Sequence, residues 1–336
     1  GEVGFGITHE LLVEPLDDGS LETFLLTADG AICESEGDIP VEVAQGLGEI
    51  EVEIDLAALG TVEPGDRIAF RWLEPTPLPG AAPGAIVVPD VSNVEVVVDL
   101  TDPVGDDHGP GTYTYPTEGV FIAGSYDLTR FTVGTEGDDV VFTFEVDAPI
   151  RNPWDSAVGL SIQTFDVYID VDPGAGSGAT DLIDGRNAAF GADDGWEAAL
   201  TVEGWDSALY LASPNGDTEE TKPTFSIVTL SEKGKVIVRL PAALLPDGDP
   251  ADWGYAVALL GQEGLPASGV RRVRDVNQAA EQYRFGGAPA GSTNHTRIID
   301  LLLPEEGGVQ GGPGEQARVL SEFTDETVAE IPLVVP

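Results

Sequence analysis

The sequence predicts an all-β protein made of antiparallel sandwiches, on three observations. Short runs rich in β-branched and aromatic residues recur along the chain, glycine, proline and aspartate separate them, and a 3.6-residue apolar period is nearly absent. The runs are VVFTFEV (140–146), FDVYIDV (165–171), TFSIVTL (224–230), KVIVRL (235–240), YAVALL (255–260) and TRIIDLLL (296–303). VVFTFEV and KVIVRL alternate apolar and polar positions, as a strand with one wet face does. YAVALL is a continuous apolar run, and both kinds of run, set off by Gly, Pro and Asp turns, read as strands of an antiparallel sandwich. The 42 glycines and 25 prolines supply the turns between them.

An internal similarity organises these runs. EIEVEIDLAALGTVEPGDRIAFRWLEP (49–75) resembles KVIVRLPAALLPDGDPADWGYAVALLG (235–261): an alternating strand, an Ala-Ala-Leu step, a Pro/Gly/Asp turn and another strand. This is either a repeated unit that closes a sandwich or two amphipathic hairpins of like composition. As a repeat, its first copy lies too near Gly1 for a full set of strands to precede it. Residues 1–100 are then a smaller or truncated sandwich and 101–304 a complete one. Residues 305–336 read as a Gly/Pro/Glu-rich linker or tail whose IPLVVP end could add an edge strand.

Composition bounds the function. Sixty Asp and Glu against fifteen Lys and Arg give a formal charge of −45, which repels nucleic acid and anionic membranes. Carboxylates at that density repel one another unless cations or salt screen them, so calcium or a saline medium is expected; solubility alone is the other explanation. Cys33 is the single cysteine, which excludes an intrachain disulfide and a cysteine-based zinc site. His9, His108 and His295 have no metal-binding spacing. No run of eighteen apolar residues suggests a membrane span, and a chain starting at Gly1 without Met reads as a portion of something longer.

Three segments carry candidate chemistry. DPVGDDHGPGTYTYP (102–116) concentrates Asp102, Asp106 and Asp107 on a loop bent by glycine and proline, and Asp127 in SYDL could return from the next strand. Ca²⁺ takes six to eight hard oxygens from such carboxylates and carbonyls; the alternative is that these aspartates cap turns. DVDPGAGSGATD (170–181) offers Asp170, Asp172 and Asp181 but lacks the side chains and glycine of an EF-hand, leaving a generic cation loop or a turn. For sugar, Trp154, Trp196, Trp205, Tyr113, Tyr115 and Tyr126 near the glycine-rich loops are either stacking platforms or core, with Trp154 and Trp196, flanked by Asn/Pro and Asp/Gly, the expected exposed pair. Asn294 in NHT is a glycosylation acceptor pattern.

Glycosidase chemistry needs two carboxylates across a sugar, and among sixty acids spacing singles out no pair. GAGSGATD lacks the lysine of a phosphate loop. No catalytic residue is assigned.

The acidic loop is followed, in order, by FIAGSYDLTRF (121–131), RNPWDSAVGLSIQTFDVYIDVDPGAGSGATDL (151–182), GRNAAFGADDGWEAALTVEGW (185–205), WGYAVALLGQEG (253–264), VRRVRD (270–275), RFGG (284–287) and IIDLLLP (298–304). In that order they resemble the C-terminal domain of glucodextranase, a DOMON-like, jelly-roll-type β-sandwich also attached to amylopullulanase-type enzymes and similar in fold to family 9 carbohydrate-binding modules. The resemblance implies a noncatalytic, extracellular or cell-surface module that binds calcium and polysaccharide, as part of an α-glucan-degrading enzyme. Haem, another ligand of DOMON-like folds, would need axial Met, His or Cys; the chain has no Met and its histidines are scattered. A structural subunit of an S-layer, sheath or filament, with calcium between neighbouring surface subunits, is the alternative.

Overall fold

The computed structural model describes residues 94–224, 226–304 and 313–336, and within 1–93 the backbone of six strands. The chain divides into two units, 1–92 and 93–336. In the first, three antiparallel pairs are described: β1 (His9–Pro15) with β2 (Leu21–Thr27), β3 (Val41–Val43) with β4 (Ile50–Val52), and β5 (Arg67–Ala69) with β6 (Ala85–Val87). The first copy of the internal similarity includes β4 and β5; the rest of it, and Cys33, lie outside the described residues.

The second unit is a sandwich. Its five-stranded sheet has the order β15-β16-β9-β8-β7, from β7 (Glu95–Thr101), β8 (Leu128–Glu136), β9 (Asp139–Val146), β15 (Ser226–Leu230) and β16 (Lys235–Pro241). Its six-stranded sheet has the order β14-β13-β12-β10-β17-β18, from β10 (Gln163–Asp170), β12 (Ala198–Val202), β13 (Ala208–Ala212), β14 (Thr218–Thr221), β17 (Gly254–Gly261) and β18 (Ile298–Leu301). All neighbours within the two sheets are antiparallel.

Strand alternation puts Phe131 and Val133 of β8, Phe142 and Phe144 of β9, Phe165, Val167 and Ile169 of β10, and Tyr255, Val257 and Leu259 of β17 in one core between the sheets. The intervening residues of the six-stranded sheet, including Tyr168, Ala256, Ala258 and Leu260, form a second core on its other face. Hence β10 and β17 are buried along their whole length. That second layer is closed partly by the end of the chain: β11 (Ala188–Phe190) pairs in parallel with β19 (Ala329–Ile331), and α1 (Pro313–Ser321) buries Val319 and Leu320.

The boundaries differ from the sequence expectation at two places. β7 belongs to the sandwich, so the unit begins at Asn93 and not at 101. Residues 313–336 pack as part of the same unit and are not a free tail, because Val319, Leu320, Ile331 and Leu333 bury apolar surface that the outer face of the sheet needs covered. No helix of the described residues is long and apolar enough to cross a membrane.

Candidate functional site

Two sites stand out. The first is an acidic cluster at one end of the sandwich. β7 runs directly into the 102–116 loop, and Gly105 (φ +94°) turns its N–H back onto Asp127 Oδ2 at 2.7 Å. Asp102 Oδ1 accepts from Leu303 N at 2.6 Å, tying the loop to the residues just past β18. Carboxylate oxygens of Asp102, Asp106 and Asp300 lie within 4.8 Å of one another, all three residues being buried.

Asp102 Oδ2, both oxygens of Asp106 and Asp127 Oδ1 are buried with no hydrogen-bond partner. Burial, then the charges of Asp106 and Asp127, pushes Asp102 well above the usual carboxylate range. Asp300 is pushed the same way by burial and by Asp102 and Asp106, although Leu128 N and Leu301 N donate to it at 2.6 and 3.0 Å. Burial first, and then Asp107, raises Asp106 to about 6 and Asp127 to about 7.

No cationic side chain enters this cluster as a hydrogen-bond or ion-pair partner among the described residues. The donor set fits a hard divalent cation: ligand oxygens bound at about 2.3–2.6 Å to one ion lie within about 5 Å of each other. The site also reaches α1, whose buried Gln316 accepts from Leu301 N at 2.6 Å and donates to the carbonyl of Asp106.

Asp107 stands beside this group in another role. It accepts from the Tyr115 hydroxyl and lies 3.7 Å from His108 Nε2. Asp300 is the member that the sequence reading missed; the signal was a lone aspartate inside the apolar run IIDLLL. Asp170 and Asp172 meet a further unpredicted residue, Glu197. Their oxygens are largely engaged by the loop itself: Asp170 Oδ1 accepts from Asp172 N, and Ser177 Oγ bridges Asp172 and Glu197.

The second site is a groove of about 440 Å³ lined by Trp154, Trp205, Gln262, Glu263, Gly264, Leu265, Arg272 and Arg274. It lies within the size range of ligand pockets. An adjoining pocket shares Trp154, Glu263 and Arg274 and adds Tyr283 and Arg284. Trp154 is 39% exposed, Trp205 46% and Leu265 91%.

Both tryptophans sit on braced turns. Asn152 and Ser156 hydrogen-bond reciprocally around Trp154 at 3.0 and 2.9 Å, and Ser207 Oγ both accepts from Glu203 N and donates to Glu203 O around Trp205. Beyond β17, Gln262 pairs with Val273 as an antiparallel bridge. With Val273 buried inward, Arg272 and Arg274 flank it on the groove side, their guanidiniums 6.0 and 5.6 Å from the rings of Trp205 and Trp154.

Of the aromatic residues singled out from the sequence, Trp154 and Trp205 reach this groove, and Tyr126 is fully buried in the core. Trp196 is 1% exposed, packs on Tyr168 and donates to Asp181 O at 3.0 Å, so it is core. Tyr113 is 2% exposed and its hydroxyl donates to Thr296 O. Tyr115 is half-buried against Phe285 and Tyr126. These three are corrected from sugar platforms to packing residues, because Tyr113 and Tyr115 pack against the core between the sheets and Trp196 against the core on the outer face of the six-stranded sheet. Asn294 is half-buried, and its amide donates to Thr324 O at 3.0 Å.

A two-sheet sandwich with a pre-braced aromatic groove belongs to the class of β-sandwich binding modules. Residues 97–336 match the family of C-terminal, SLH-like binding modules of glucodextranase, and the chain belongs to that family. No curated protein matches the chain.

Proposed function

We propose that residues 93–336 serve as a noncatalytic glycan-binding module of a glucodextranase-type enzyme, working outside the cell or at its surface and holding calcium at Asp102, Asp106, Asp127 and Asp300. The glycan half rests on one observation: Trp154 and Trp205 expose their rings on a single groove beside Gln262, Glu263 and arginine side chains. Aromatic faces take the C–H surface of a pyranose, and convergent polar groups take its hydroxyls.

Calcium is supported by the four unpartnered carboxylate oxygens and by the close approach of Asp102, Asp106 and Asp300. The ion would supply the positive charge that lets these carboxylates remain ionised. The chain's own residues then do the structural work, joining the loop after β7, the segment before β8, and β18.

Affinity electrophoresis through gels containing amylose, dextran or acidic polysaccharides tests the glycan half, with Trp154→Ala and Trp205→Ala expected to abolish whatever retardation the wild type shows. A wild type that no polysaccharide retards would end that reading. Calorimetric titration of chelator-treated protein with calcium tests the other half, and absence of binding heat together with an unchanged melting temperature would end it.

A further inference from the structure

Resting on the glycan reading of the groove, we propose that its ligand is an acidic sugar, one bearing a carboxylate such as a uronic acid unit, in preference to a neutral glucan. The first observation is where the scarce positive charge lies. Arg271, Arg272, Arg274 and Arg284 are four of only 15 basic residues in a chain of charge −45, and they fall within fourteen positions. The last three line the groove and its extension.

The second observation is the balance of donors and acceptors. The two carboxylates present are engaged by the protein. Glu203 accepts from Asp206 N and from Gln262 Nε2 (3.2 Å) and faces Arg272 Nε at 3.1 Å. Glu263 accepts from Leu265 N (3.2 Å) and Arg284 Nη2 (2.8 Å).

The guanidiniums are not saturated in return. Arg272 Nε and Arg274 Nε are buried and face Glu203 at 3.1 Å and Glu263 at 3.7 Å, and Arg274 Nη1 donates to Tyr283 O at 2.7 Å, but among the described residues Nη1 and Nη2 of Arg272 and Nη2 of Arg274 have no hydrogen-bond or ion-pair partner. Three guanidiniums against two committed carboxylates leave surplus donors and a surplus positive charge. A hydroxyl both donates and accepts; a carboxylate only accepts, and it matches the fork of a guanidinium.

The third observation is backbone conformation. Arg272 has φ +45° and Asp155, next to Trp154, has φ +51°; these are two of the three non-glycine residues at positive φ among the described residues. Such conformations are held against a local cost and gather at binding sites. Here they present one arginine and one tryptophan to the same cleft.

The discriminating ligands are amylose oligosaccharides and their C6-oxidised counterparts, which differ only in a carboxylate replacing CH₂OH. Titration calorimetry on the whole chain is run at about 1 M salt, where the Debye length is about 3 Å and the repulsion from the rest of the surface is screened. The oxidised oligosaccharide is expected to bind about tenfold tighter or more. Arg284→Gln and Arg272→Gln each bring that ratio toward one, whereas Arg284→Lys keeps part of it.

Equal or tighter binding of the neutral oligosaccharide overturns the inference and leaves the glycan-binding function standing. A preference that survives both glutamine variants, with their melting temperatures near wild type, also overturns it. Binding of neither ligand overturns the inference, and together with no retardation by any polysaccharide it removes the function as well.

Discussion

Asp166 and Asp300 are both fully buried carboxylates on strands of the same six-stranded sheet, Asp166 on β10 and Asp300 on β18. Asp166 meets Arg186, itself fully buried, through Nε at 2.6 Å and Nη2 at 3.0 Å. The remaining donors of Arg186 go to Thr201 Oγ1 and to the carbonyls of Asp184 and Arg271. Burial alone would push the Arg186 guanidinium down, but Asp166 outweighs it and holds it above its ordinary range. Asp300 instead faces Asp102 and Asp106, and its burial first and then their charges push it upward.

The difference teaches what each region needs from outside. A buried ion pair whose hydrogen bonds are complete is self-sufficient, whereas a cluster of like charges with free oxygens calls for a cation or for protons.

The contrast can be broken from its satisfied side first. Arg186→Met leaves Asp166 buried without a cation, and urea unfolding is expected to show a loss of about 3–5 kcal/mol. Replacing both, Asp166→Leu with Arg186→Met, recovers most of that loss. A single-variant loss under about 1 kcal/mol would show that the pair is dispensable.

On the acidic side, calcium at about 100 times its dissociation constant adds about 2.7 kcal/mol over chelated protein, read as a shift of the urea midpoint. Asp106→Asn sharpens the point, because both Asp106 oxygens lack partners and an amide there removes repulsion without displacing a donor. In chelator this variant is expected to be roughly 1–3 kcal/mol more stable than wild type, and to respond less to calcium.

The smallest effect belongs to a half-exposed carboxylate that has protein cations. A hydrogen bond from His295 and the charge of Arg297 hold Asp275 down at about 2. Its folded value lies below its unfolded one, so its stabilisation is present above about pH 4 and is lost as pH falls toward 2. With the side chain 46% exposed, screening keeps this under about 1 kcal/mol. The melting-temperature gap between wild type and Asp275→Asn should therefore close between pH 5 and pH 2.

Much of the sandwich was legible in the chain. VVFTFEV became β9, KVIVRL became β16 and YAVALL became β17, within a residue of their expected limits. These strands announce themselves because alternation or continuity of apolar residues is a local property. Short strands such as β11 and β19, three residues each, carry too little pattern to be seen before their partner is known. Helix α1 was missed for a like reason, its nine residues offering one apolar pair, Val319 and Leu320.

By itself, the sequence determined the fold class, the scarcity of positive charge and the gathering of Asp102, Asp106 and Asp107 on one bent loop. Each follows from residue order over short distances. Only the tertiary structure decided that Asp300 completes the acidic cluster, since it comes from a strand nearly two hundred residues further along the chain. It also decided that Trp205 faces a groove while Trp196 lies in the core. A strand pattern says which side a residue takes, but what covers that side depends on segments brought in from elsewhere, and burial is a property of both.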